Sequence, residues 1–198
     1  MSEPVLVSGG RDVRATLDRA ADASTAVVAC PPHPEHGGHR GDERLVAVAD
    51  RLTDAGVDCL RIDYGPWDGG RGERADARNA LDWARDRYDR VGLFGYSFGA
   101  GVALLVAADG DRPVGALAPP AALADGGVEV AGAVTDVDAP GHVTYGARDD
   151  TVDWEPVVDR ARTAGWSVLE LPADHFFIGQ AGKVADAVVP FFERALRD

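Results

Sequence analysis

Short runs of aliphatic residues alternate along the chain with longer Ala-, Arg- and Asp-rich stretches whose apolar positions recur at helical spacing. The runs are "TAVVACP" (25–31), "VDCLRIDY" (57–64), "RVGLFG" (90–95), "PVGALAP" (113–119), "GHVTYGA" (141–147) and "SVLELP" (167–172). They are continuously apolar rather than alternating, the pattern of strands covered on both faces, so they predict a buried parallel sheet. Between them, Leu45, Val46, Val48, Ala49 and Leu52 mark a helix over 42–55 stopped by Gly56. A second helix is expected over 73–88 with Ala77, Ala80, Leu81 and Trp83 inward. Others are expected to start near Ser97, to run over 155–165, and to close the chain over 180–197. "SGG" at 8–10 separates two strand-like runs and predicts an antiparallel hairpin at a sheet edge, whereas 119–139 reads as loop. About six core strands and four to six helices in alternation define an α/β fold, a mostly parallel twisted sheet with helices on both faces. With 198 residues, no repeat and no linker, one domain over 1–198 is expected.

Charge narrows the partners. Thirty-three acidic residues against 20 basic ones give a formal charge of −13, with lysine present only at Lys183. Nucleic acid and anionic membranes require a cationic surface, so neither is expected as a partner. A dense carboxylate shell nearly free of lysine fits a protein kept soluble in concentrated salt, where screening removes most self-repulsion. Cys30 and Cys59 both lie in strand-like runs and read as small buried hydrophobes. The opening "MSEPVLVSGG" has no basic segment followed by a long apolar one, which gives a cytoplasmic expectation.

The chemistry centres on "LFGYSFGAG" (93–101), where a strand-like run meets a helix-like one with no connecting loop. Gly95 and Gly99 bracket Ser97 in a Gly-x-Ser-x-Gly pattern. A residue at so sharp a corner needs strained backbone and small neighbours, and its side chain is lifted out beside the first turn of a helix. The bare pattern is weak, but its place between strand and helix gives it mechanical meaning. A serine alcohol needs a base, and the base an orienting acid. "TYGARDDTVD" places Asp149 and Asp150 beyond one strand, and "LELPADHFF" places His175 beyond the next. Ser97, Asp149 and His175 are thus the expected triad. Asp149 is preferred to Asp150 because it is the first acid after the turn, while Asp150, Asp153 and Asp174 are assigned to the solvated shell.

Two N–H donors for an oxyanion are expected from the backbones of Phe98, next after the nucleophile, and His33. Pro31, Pro32 and Pro34 have no N–H to offer, which leaves His33 or Glu35, and His33 is nearer the strand end. Tyr64, Trp67, Tyr96 and Phe176 are candidate walls of the substrate pocket. His33, His36 and His39 recur every third residue, but Pro34, Gly37 and Gly38 interrupt them and no Cys or carboxylate completes a set, so no metal is expected. No dinucleotide or Walker-type glycine loop occurs, and no cofactor is expected.

The pieces "CPPHPEHGG", "GVDCLRIDYG", "GERADARNALDWA", "GYSFGAGVAL", "YGARDDTV" and "ADHFF" resemble the α/β-hydrolase superfamily. Within it they are similar to small lidless members related to dienelactone hydrolase, and most to compact hydrolases with a His-Pro-His-Pro then Gly-Gly segment. The resemblance implies the same triad and the same backbone donors near His33 and Phe98. Separately, only about twenty residues separate "GALAP" from the next strand, too few for a cap domain, so an open site is expected. Two departures stand out: Pro31 where that group usually has His, and "GPWDGG" where an Arg-Gly turn is commoner. Dienelactone hydrolases use a Cys nucleophile, so their substrate is not carried over. The expected activity is hydrolysis of a small-molecule carboxylic ester through an acyl-enzyme. A thioesterase, a peptidase, or a non-catalytic binding protein on the same scaffold are the alternatives.

Overall fold

The computed structural model describes residues 1–123 and 127–197. In chain order the elements are β1 (Ser2–Val7), β2 (Val13–Asp18), β3 (Thr25–Cys30), a single 3-10 turn (Pro34–His36), α1 (Glu43–Asp54), β4 (Asp58–Ile62), α2 (Arg71–Arg85) and β5 (Arg90–Tyr96). Then come α3 (Phe98–Ala107), β6 (Val114–Leu117), β7 (Ala122–Leu123), β8 (Val128–Glu129), α4 (Ala133–Asp136), β9 (Gly141–Gly146), α5 (Glu155–Thr163), β10 (Ser167–Leu171) and α6 (Ala181–Ala195).

Eight strands form one sheet in the order β1-β2-β4-β3-β5-β6-β9-β10. The six from β4 to β10 in that order run parallel, and β1–β2 adds the expected antiparallel hairpin at one edge. The two faces bury separate cores. Val28, Cys30, Leu60, Ile62 and Leu93 point toward α2, α3 and α5, while their neighbours Val27, Ala29, Cys59 and Phe94 point toward α1 and α6. Such two-sided burial is why these strands read as unbroken apolar runs. Both cysteines are free and buried, and burial pushes the Cys30 thiol up to about 12. Among the described residues no helix is long and apolar enough to cross a membrane.

Two expectations need correction. Trp83 packs against the core only in part, with the Arg87 guanidinium 4.1 Å from its ring centre, and Ala84 is fully buried beside it. Helical spacing allows either, and the Arg87 guanidinium covers the outer face of the indole. Residues 119–139 are not simply loop: the β7–β8 hairpin and α4 lie there, residues 124–126 falling outside the described residues. Two-residue strands and a single helical turn are too short to leave a periodic signature.

His142 opens β9 at the sheet end remote from Ser97. Its ring is 2% exposed, with Nδ1 3.0 Å from Ser167 Oγ and Nε2 2.8 Å from Thr144 Oγ1, stacked on Phe191. Burial, aided by the Arg194 charge, lowers its pKa to about 4. The folded protein therefore binds this proton more weakly than the unfolded chain. Stability from neutral His142 is complete above the unfolded value near 6.5 and is lost as pH falls toward 4, roughly 3 kcal/mol in all. Urea midpoints measured from pH 7 to pH 4 should fall more steeply for wild type than for His142→Gln.

Candidate active site

Ser97 is the whole of the connection between β5 and α3. Its backbone sits at φ 55°, ψ −121°, a conformation that strains any residue with a Cβ. Hydrogen bonds hold it there: the Ser97 N–H donates to Leu117 C=O at 2.8 Å, and its own C=O accepts from Ala100 and Gly101 N–H at 2.9 and 3.2 Å. The glycines make the corner possible. A Cβ on Gly95 would lie 2.0 Å from the Gly99 carbonyl oxygen, and one on Gly99 would lie 2.2 Å from that of Cys30. The helix thus returns against its own strand and against the end of β3 at backbone distance.

Asp149 follows β9, and His175 lies between β10 and α6. His175 Nε2 is 2.9 Å from Ser97 Oγ, and Nδ1 is 2.7 Å from Asp149 Oδ2. Asp149 Oδ1 accepts from the N–H groups of Thr151 at 3.0 Å and Val152 at 3.4 Å, and the Asp149 side chain has no exposed surface. A carboxylate can only accept, so Nδ1 carries a proton, and in the neutral imidazole the Nε2 lone pair faces the hydroxyl. Asp150, Asp153 and Asp174 are exposed. Tyr96 is 2% exposed and donates its hydroxyl to the His175 C=O at 3.0 Å, and burial pushes that phenol up to about 12, so it stays a donor.

Ser97 opens into a cavity of about 580 Å³ bordered by His33, Tyr96, Phe98, His175 and Phe176. Sequence reasoning missed several of its other borders: Ala122 and Leu123 from the β7–β8 hairpin, Val152, and Arg44 near the start of α1. Phe176 is half exposed at the rim, edge-on to the His175 ring. Tyr64 and Trp67 do not border the cavity but stand behind it. Tyr64 donates to the Pro31 C=O at 3.2 Å and meets the Phe98 ring edge-on, while Trp67 packs on His33 and Phe98 with ring centres 4.4 and 5.5 Å apart. The Trp67 loop is itself anchored: Glu73 accepts from the N–H groups of Asp68 and Gly70, and Asp76 bridges the Gly65 N–H and Arg11. The His33 and His36 rings stack at 4.5 Å, and His39 Nδ1 accepts from the Gly41 N–H. A wider cleft of about 890 Å³ at the opposite end of the sheet is lined by Arg85, Asp89, Asp111 and Arg112 among others, with no serine, cysteine or histidine on its walls among the described residues.

Residues 63–159 match the family of X-Pro dipeptidyl-peptidases (S15 family). An uncharacterised protein of Rickettsia prowazekii is 31% identical over 105 residues, a match that spans 48% of this chain and 42% of that protein's length. Among solved structures, an α/β serine hydrolase homologue from Coxiella burnetii superposes with a TM-score of 0.83 at 25% identity, covering 95% of this chain and 96% of its own. A lidless α/β serine hydrolase from Xanthomonas campestris gives 0.81 at 25% identity, over 98% and 94%. A dienelactone hydrolase from Anabaena variabilis gives 0.80 over 98% of each chain, and at 22% identity it speaks for the fold alone. With a parallel sheet wrapped by helices and a serine at the corner between β5 and α3, the chain has the α/β-hydrolase fold and is similar to lidless serine hydrolases.

Proposed function

We propose that this chain is a serine hydrolase of carboxylic ester-type substrates. One observation carries the reading: the unbroken hydrogen-bonded row from Ser97 Oγ through His175 to Asp149, ending in a cavity open to solvent. Ser97 Oγ attacks the ester carbonyl carbon as His175 Nε2 takes the hydroxyl proton, and Asp149 stabilises the imidazolium. The oxyanion falls to the N–H groups of Phe98 and His33, beside the first turn of α3, whose dipole favours negative charge. His175 returns the proton to the departing alcohol. It then deprotonates a water, which attacks the acyl-serine, releases the acid and restores the hydroxyl. Phe176 and the Tyr96 ring border the cavity, with Trp67 and Tyr64 steadying the His33 and Phe98 wall from behind.

The match to X-Pro dipeptidyl-peptidases favours a second reading, amide hydrolysis by the same serine, although that match ends at residue 159, before His175. A panel of matched ester, thioester and amide substrates separates the readings. The decisive test is a neutral fluorophosphonate applied at low and at high salt. Mass spectrometry should place the adduct on Ser97, absent in Ser97→Ala. A folded wild-type protein that stays unmodified at both salt concentrations would leave only the non-catalytic binding role.

A further inference from the structure

We propose that Arg44 and Tyr96 are positioning residues that set the His175 imidazole against Ser97 by gripping two consecutive carbonyls of the loop that carries it. The inference rests on the reading of Ser97 as nucleophile and His175 as its base.

His175 sits on a connection, and connections are the mobile parts of a fold. This one is short of packing on its outer side, with Phe176 50% and Ile178 75% exposed, and it holds Phe177 at φ 49°, a left-handed conformation that a bulky residue adopts only under constraint. The Phe177 ring is buried in the core and anchors the loop from below, and two donors hold the carbonyls that precede it. The Tyr96 hydroxyl reaches the His175 C=O at 3.0 Å, and Arg44 Nη1 reaches the Phe176 C=O at 2.7 Å, across 132 residues of chain. The donors also brace each other, since the Arg44 guanidinium carbon lies 4.6 Å from the centre of the Tyr96 ring.

Arg44 is itself aimed. Asp42 caps α1 by accepting the Arg44 N–H at 3.0 Å, and its carboxylate takes Arg44 Nε at 2.9 Å and pairs with Nη2. The Arg44 side chain is only 14% exposed. Its charge is already met by Asp42, with Glu43 3.6 Å away. A guanidinium so occupied acts as a bracket between helix α1 and the histidine loop, rather than as a receptor for an anionic substrate, even though it borders the cavity.

The test compares wild type with Arg44→Leu, Arg44→Lys and Tyr96→Phe. For each, the rate of Ser97 phosphonylation is read together with kcat and KM on p-nitrophenyl acetate and on a negatively charged half-ester, with melting temperature to establish folding. Displacing a reacting group by an ångström costs on the order of 100-fold, so Arg44→Leu should slow both phosphonylation and kcat by about that factor, with KM unchanged on both esters. Tyr96→Phe, which keeps the ring and loses one hydroxyl, should slow them by about 10-fold. Arg44→Lys should recover part of the loss, because an ammonium still reaches the Phe176 carbonyl. Folded variants that react at the wild-type rate overturn the proposal, as does a loss that appears only as a raised KM for the charged ester. Should Arg44→Leu fail to fold, Tyr96→Phe decides. A wild-type protein that does not react removes the nucleophile itself, an outcome separate from reactive wild type with indifferent variants.

Discussion

Asp149→Asn should slow the reaction of Ser97 with ester or phosphonate by about 10⁴-fold while leaving the melting temperature nearly unchanged. The reason lies in the partners of the two carboxylate oxygens. Oδ1 faces two N–H groups, those of Thr151 and Val152, which only an acceptor satisfies. An asparagine must keep its oxygen there and turn its NH₂ toward His175 Nδ1. Nδ1 then becomes an acceptor, the imidazole proton moves to Nε2, and the ring has no lone pair left for the Ser97 hydroxyl. Side-chain volume and the loop hydrogen bonds are conserved, so the defect is one of tautomer and not of folding. Asp150→Asn serves as the control: its side chain is exposed, and the rate should stay within about twofold of wild type. A slow Asp150→Asn beside an unimpaired Asp149→Asn would transfer the orienting role to Asp150.

Gly95→Ala should be as damaging by a different route, lowering stability by about 3 kcal/mol or more, so that little folded protein is recovered. The added methyl would meet the Gly99 carbonyl oxygen at 2.0 Å and the Ala100 nitrogen at 2.6 Å, and both are backbone atoms of α3 that no rotamer change can withdraw. Relief requires lifting the helix from the strand, which opens the core where Leu93, Ala100 and Leu104 meet. Gly182→Ala, with open space around its Cβ position, is the comparison that should remain folded. Urea denaturation of the pair measures the difference, and a Gly95→Ala protein as stable as wild type would mean that the corner is looser than its distances imply.

These two positions also mark how much could be read from the amino-acid order. The corner at Ser97 is local: strand, glycine, serine, glycine and helix lie within nine residues, and their steric demands are written in adjacent letters. The positions of Asp149 and His175 were legible because each comes just after an apolar run, and parallel strands bring the residues at their carboxyl ends to one edge of the sheet. The choice between Asp149 and Asp150 rested on position after a turn, and the geometry sets Asp149 facing His175. Other parts left no trace. Arg44 is one of many charged residues on a helix that reads as amphipathic, and nothing near it announces a carbonyl 132 residues away. Tyr64 and Trp67 could be read as aromatics close to the site, but whether a ring faces the cavity or backs its wall depends on loop packing that periodicity does not encode. The β7–β8 hairpin was hidden because its strands are two residues long.

Tyr96 and Ser97 are neighbours in sequence, one tethering the base through its phenol and the other presenting the alcohol. A thermal excursion of that strand end therefore translates donor and acceptor together, and their separation is insulated from breathing of the sheet.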